Sequence, residues 1–166
     1  MPDYNWTSFT LRIPVRASRE KLYWCWATRE GMEYWFLRLC DYKNSEGISR
    51  IPGENVQTGD AYRWLWHGWS DETVELGTIL DCNGTDMLRF GFGKAGNCTI
   101  RIYKEGETQI LELIQDCIPD TAEGKHYWHL GCKTGWTFYL TNLKSLLEGG
   151  IDLRNKDEQI KNVLNS

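Results

Sequence analysis

The sequence has no cluster of lysines or arginines, and 19 basic residues against 23 acidic ones leave a formal net charge of −4. Phosphate backbones are gripped by grouped cations, so nothing here favours a nucleic-acid partner. No apolar run approaches the roughly 20 residues that cross a bilayer. The opening MPDYNWTSF lacks the charged-then-apolar order of a secretory leader. Six cysteines (Cys25, Cys40, Cys82, Cys98, Cys117 and Cys132) form no CxxC pair. In a chain of this size such scattered cysteines read as reduced thiols rather than a disulfide framework, which places the protein in the cytoplasm. There is no G-x-S-x-G and no cysteine beside a histidine and an orienting acid, so nucleophilic catalysis finds no support. A Gly-rich phosphate loop is missing too, and no cofactor or resident metal is expected. Internal repeats and low-complexity linkers are also lacking. The reading is one domain over residues 1–154, followed by a tail over 155–166.

What the sequence does have is rings. Nine Trp, eight Tyr and five Phe make up 13% of the chain. Either they build a core, or they line a cavity, since ligand pockets are mostly apolar and aromatic. Counting alone leaves both open.

The stretch that organises the rest is Cys132 to Glu148, CKTGWTFYLTNLKSLLE. Trp136, Leu140, Leu143 and Leu147 recur at steps of four, three and four, the stripe of a helix with one buried side, and Tyr139 and Leu146 widen it. Gly149 closes it, because glycine takes the left-handed conformation without penalty. Asp120 and Glu123 stand in the spacing of a capping box, which moves the helix start back toward Thr121.

Upstream, Ser8 to Val15 alternates as a first strand with Phe9, Leu11 and Ile13 on one face. Ser18 and Thr28 are helix caps, opening two short helices with Leu22, Tyr23 and Trp26, then Met32, Trp35 and Phe36, as their apolar sides. Leu37 to Val56 reads as a strand and a loop. Hairpins follow. Ala61 to His67 sets Tyr62, Trp64 and Trp66 against Arg63, Leu65 and His67; Thr73 to Leu80 groups Val74, Leu76 and Leu80. After the Asn83-Gly84 turn, Leu88, Phe90 and Phe92 share a face, with Gly91 and Gly93 permitting a bend of the strand. Cys98, Ile100 and Ile102 follow, then Leu111 and Leu113 opposite Ile110, Glu112 and Ile114. Strands linked this closely argue an antiparallel meander. In the tail, Ile160, Val163 and Leu164 offer a weak amphipathic turn that would dock on the domain or on a second copy.

This order, carried by SFTLRIPVRASREKLYWCWATREGMEYWF, GDAYRWLWHGW and GWTFYLTNLKSLLEGGIDLR, resembles the helix-grip fold of the START-like (SRPBCC) superfamily. Within that superfamily it resembles the group related to the C-terminal domain of the Hsp90 ATPase activator. The resemblance implies an α+β fold: a curved antiparallel sheet wrapped around a long C-terminal helix, with two short helices after the first strand. It further implies a cavity between sheet and helix for a small apolar or amphipathic molecule. The wall would come from Trp64, Trp66, Phe90, Phe92, Trp136 and Tyr139, with Tyr62 or Arg89 orienting the ligand. A non-catalytic binding domain is the leading expectation. The alternatives are a chaperone-linked interaction module of Hsp90 type and an enzyme of cyclase or hydrolase type; a homodimer is a further expectation.

Three groups are weighed against plainer roles. His126, His129 and Cys132 form H-x-x-H-x-x-C, ligand types suited to zinc, but successive steps of three spread them around a helix and no fourth ligand stands nearby. The plainer expectation is two partly exposed histidines and a core thiol. His67 has a pKa range suited to a general base, but a surface or hydrogen-bonded structural histidine is the plainer expectation. Glu112 reads as a solvated charge, because a lone buried carboxylate is costly. Asp81, Asp116 and Arg101 read the same way.

Overall fold

The computed structural model describes residues 3–164. Strand β1 (Phe9–Pro14) leads into helices α1 (Arg19–Ala27) and α2 (Arg29–Trp35). Strands β2 (Leu39–Lys43), β3 (Ala61–Leu65), β4 (Val74–Cys82), β5 (Met87–Gly91), β6 (Asn97–Glu105) and β7 (Thr108–Asp116) follow, and helix α3 (Cys132–Leu147) comes last. The seven strands form one sheet in the order β1-β7-β6-β5-β4-β3-β2, with every pairing antiparallel. This is the α+β helix-grip arrangement expected.

Local chemistry sets the helix starts. Ser18 Oγ accepts from Lys21 N at 3.0 Å, and Thr28 Oγ1 accepts from Gly31 N at 2.9 Å, each satisfying an amide that a helix leaves orphaned. The cap before α3 is Thr121 rather than Asp120: Thr121 Oγ1 accepts from Gly124 N at 3.0 Å, while Asp120 pairs with Lys125 at 3.0 Å. The chain turns helical from residue 122, and Gly124–Gly131 is wound as a π-helix before the regular turns of α3. At the far end Gly149 has φ +84°, and Gly150 N donates to Ser145 O at 2.7 Å. That is the six-to-one closure of a Schellman motif.

One layer of core lies between the sheet's inner face and the helices. Tyr62, Trp64, Ile79, Leu88, Phe90, Ile100, Leu111 and Leu113 meet Leu22, Trp26, Trp35, Phe36, Trp136, Leu140 and Leu143, all buried. Two strand readings change. Val74, Leu76 and Leu80 do share a side, but it is the outer one, and Leu76 is 63% exposed. The inner side of β4 carries Glu75, Gly77 and Ile79, because the ring of Tyr62 occupies the space above Gly77 and leaves no room for a Cβ there. β5 ends at Gly91, so Phe92 stands beyond the strand and Gly93 (φ +51°) opens a short 3-10 turn rather than bending a continuing strand.

Beyond α3 the chain folds back. Arg154, 8% exposed, donates to the carbonyls of Glu33, Tyr34 and Leu37 and pairs with Asp152 at 2.7 Å. Burial pushes the Asp152 carboxyl up, but hydrogen bonds from Arg154 and Lys156 outweigh it and hold the group well below its usual range. The described tail residues 155–164 form no helix. Ile160 and Leu164 stay 49% and 75% exposed, since three apolar side chains are too few to hold a helix against the solvent. Residues 165 and 166 of the expected tail lie outside the described residues. No helix among the described residues is long and apolar enough to cross a membrane.

Candidate functional site

The meander and α3 bring all six expected contact residues into one connected set of rings. Trp64 lies 5.1 Å from Phe90 between ring centroids, and Phe92 bridges Phe90 at 6.0 Å and Trp136 at 5.6 Å. Phe36, from the end of α2, joins the rest: it meets Trp136 at 5.0 Å, Tyr139 at 4.8 Å and Trp66 at 5.8 Å. The sequence gives Phe36 an apolar side but no hint of this linking position. Alternation on β3 aims Trp64 inward, Trp66 follows just past the strand end at Leu65, and the three-residue step on α3 puts Trp136 and Tyr139 on adjoining parts of its buried stripe.

The six do not share one environment. Trp64, Phe90 and Trp136 are buried and fill the space between sheet and helix with ring-to-ring contact, whereas Trp66, Phe92 and Tyr139 are half-buried. The rings therefore divide into a packed floor and a rim. Floor geometry is fixed by polar ties: Trp136 Nε1 donates to Gln115 Oε1 at 3.0 Å, and Gln115 Nε2 donates to Ala95 O at 2.9 Å. The Tyr62 ring stacks on Trp64 at 3.9 Å and its hydroxyl donates to Gly91 O. That hydroxyl is committed within the fold, and burial drives its pKa well above the usual range.

Arg89 cannot orient a ligand among these rings. Neighbouring Leu88 and Phe90 point inward, so Arg89 points out, where it binds Asp116 at 2.9 Å and Thr99 Oγ1 at 2.6 Å. Asp116 is thus an ion-pair partner, not a free surface charge. Glu112 also faces out, accepting from the Tyr103 hydroxyl at 3.0 Å.

Sequence reasoning passed over Glu75. It is half-buried on the inner side of β4, in register with Trp64. Burial raises its carboxyl above the usual range. Burial is the main cause that raises the Tyr62 hydroxyl and the Cys132 thiol, and the Glu75 charge adds to both, placing it at the junction of β3, β4 and the first turn of α3. No local signal marked it, because the spacing of Val74, Leu76 and Leu80 puts Glu75 on the apparent solvent side of β4.

The histidines separate. His129 is fully buried, contrary to the partly exposed role expected, and both its ring nitrogens are engaged, Nε2 with the Tyr4 hydroxyl and Nδ1 with Trp6 O, each at 2.9 Å. Tyr4, Trp6 and Phe9 surround its ring at 5.2–5.3 Å. It is a structural link between the N-terminal arm and the π-helix. His126 is exposed. Among the described residues no three His, Cys, Asp or Glu side chains converge as a metal would need. His67 is half-buried, and burial together with Arg154, Lys156 and Arg38 lowers its pKa, so it is neutral near pH 7.

Near the C-terminal end of α3 lies a separate groove of about 960 Å³. Its lining includes Arg16, Arg19, Glu20, Lys144 and Glu148 and none of the six rings. Its mixed charge suits solvent more than an apolar guest.

Residues 16–148 match the family described as activator of Hsp90 ATPase homolog 1-like protein. Among solved structures, a Staphylococcus saprophyticus protein superposes with a TM-score of 0.66 at 17% identity, over 89% of this chain and 96% of its own. The Aha1 dimer from Colwellia psychrerythraea gives 0.65 at 15% identity, over 86% and 97%. A Nitrosomonas europaea protein gives 0.66 at 12% identity, over 89% and 97%. At such identities the likeness is one of fold alone. No curated protein matches the sequence significantly.

Proposed function

The chain belongs to the family of activator of Hsp90 ATPase homolog 1-like proteins, and from that premise we propose that it is a non-catalytic binding domain for a small apolar or amphipathic molecule. The domain is residues 1–154. The observation that carries this reading is the half-buried rim of Trp66, Phe92 and Tyr139 over the packed floor of Trp64, Phe90 and Trp136. Rings left partly exposed above a packed floor lose unfavourable hydration when an apolar guest covers them, at about 25 cal/mol per Å². The rim is also the part of the ring set that a guest reaches without unpacking the core. Six cysteines free of disulfides support a reducing, cytoplasmic setting.

Titration of intrinsic tryptophan fluorescence with decanol tests the reading. Saturable binding is expected, weakened severalfold by Phe92→Ala and by Trp66→Ala. A linear, unsaturable response in the folded protein overturns it.

A chaperone-linked role is the second reading, favoured by the family description and by the outward apolar side of β4, where Val74, Leu76 and Leu80 lie uncovered. An Hsp90-type ATPase retained by immobilised protein, and released by Leu76→Asp, supports it; no retention at high concentration ends it. The Colwellia relative was solved as a dimer. A second copy is accordingly a candidate partner, checked by sedimentation.

A further inference from the structure

Carboxylates away from bulk water are normally paired, and in this fold they are. Asp60, 2% exposed, accepts from Arg50 at 2.9 and 3.0 Å. Glu33 accepts from Cys40 N at 2.8 Å, Glu112 from Tyr103, Asp116 from Arg89 and Asp152 from Arg154. Glu75 is the exception. Among the described residues it has no hydrogen bond or ion pair, and no lysine or arginine offsets its charge.

Its position is specific. Val74 and Leu76 point to solvent, so Glu75 points into the bowl, with Trp64 opposite it in register. The carboxylate lies against the backbone of the turn after β5: a Cβ built on Gly93 would stand 2.5 Å from Glu75 Oε1 and 3.5 Å from Oε2. Phe92 precedes that glycine and belongs to the rim. An acid therefore sits at the edge of a ring-lined surface, with its neighbours being π faces, a thiol and a phenol rather than cations.

We propose that Glu75 is the polar anchor of the ring-lined site and that the site selects amphiphiles bearing a protonated amine on an apolar body. The proposal rests on the ligand-binding reading given above and specifies its chemistry. An ammonium group reaching Glu75 supplies the missing partner through a charge-assisted hydrogen bond and is drawn by the face of the half-buried Phe92 ring as well. A fatty carboxylate brings a second negative charge to a site already short of positive ones, and an alcohol satisfies the acceptor without neutralising it.

Three probes of equal chain length separate the possibilities: decylamine, decanol and decanoate, each titrated below its aggregation concentration into the full chain at pH 7 and followed by tryptophan fluorescence. Decylamine is expected to bind about tenfold more tightly than decanol, the usual increment for a hydrogen bond to a charged group, with decanoate weakest. Glu75→Gln is expected to bring the amine down to the affinity of the alcohol while leaving decanol within about twofold, with near-UV circular dichroism confirming an intact core. If decanol binds and decylamine is no tighter, or if Glu75→Gln keeps the full preference for the amine, the inference fails and the ring-lined site stands. If none of the three binds, both fall.

Discussion

Gln115 on β7 accepts a hydrogen bond from the indole N–H of Trp136 on α3 at 3.0 Å, and this bond ties the C-terminal helix to the sheet. Gln115 is fully buried, so neither partner has water as an alternative. Gln115→Leu keeps the volume but orphans the indole N–H and the Ala95 carbonyl. The expected loss is about 2–3 kcal/mol of folding free energy in urea unfolding. A variant as stable as the parent would mean the floor tolerates rotation of α3.

Asn142 performs the second polar tie of the helix. Its Nδ2 donates to Trp35 O at 2.8 Å and its Oδ1 accepts from Leu153 N at 2.7 Å, so one buried amide joins α2, α3 and the returning segment. Asn142→Leu is expected to cost about 3 kcal/mol. Amide exchange at Leu153 is expected to accelerate more than exchange at mid-sheet amides such as Ile100; uniform acceleration would contradict a local clasp.

Gly77 is required by contact rather than by backbone angle. A Cβ there overlaps the ring of Tyr62, which is stacked on Trp64. Gly77→Ala is expected to displace that ring and its bond to Gly91 O, costing about 1–3 kcal/mol as overpacking does. An unchanged melting temperature would show that Tyr62 has space to swing, which its 3% exposure denies.

Glu75 makes the free protein pH-sensitive in a defined direction. Burial raises its carboxyl above the ordinary value of 4.5 that the unfolded chain retains. Between those two values the folded state holds a proton that the unfolded state has lost, so stability falls as pH rises through that window. Glu75→Gln is expected to match the parent at a pH below the ordinary carboxylate value and to exceed it in melting temperature at pH 7–8. A variant less stable at pH 7, or equally stabilised at both ends, would contradict the assignment.

The periodicity of Trp136, Leu140 and Leu143, the caps Ser18 and Thr28, and the turn at Asn83-Gly84 were legible because each depends on a few neighbouring residues. The side of β4 that faces in was not. Val74, Leu76 and Leu80 alternate as convincingly as any buried face, and only the ring of Tyr62 arriving from β3 makes Gly77 and Glu75 the inner residues. His129 and Asn142 were hidden for a related reason. Their partners, Tyr4 with Trp6 and Trp35 with Leu153, are distant along the chain or belong to segments without periodic signal.

Local sequence thus determined which segments are strand and helix, because hydrogen bonding and apolar spacing act within a few residues. The same spacing put each of the six rings on a shared strand face or helix stripe, and the family resemblance turned those faces inward. Tertiary structure alone decided which of those rings became floor and which became rim, since that depends on how far α3 and Phe36 reach across the sheet. It also decided that the half-buried Glu75 would be left without a hydrogen bond or ion pair among the described residues, because pairing is set by what the fold brings within about 4 Å of it.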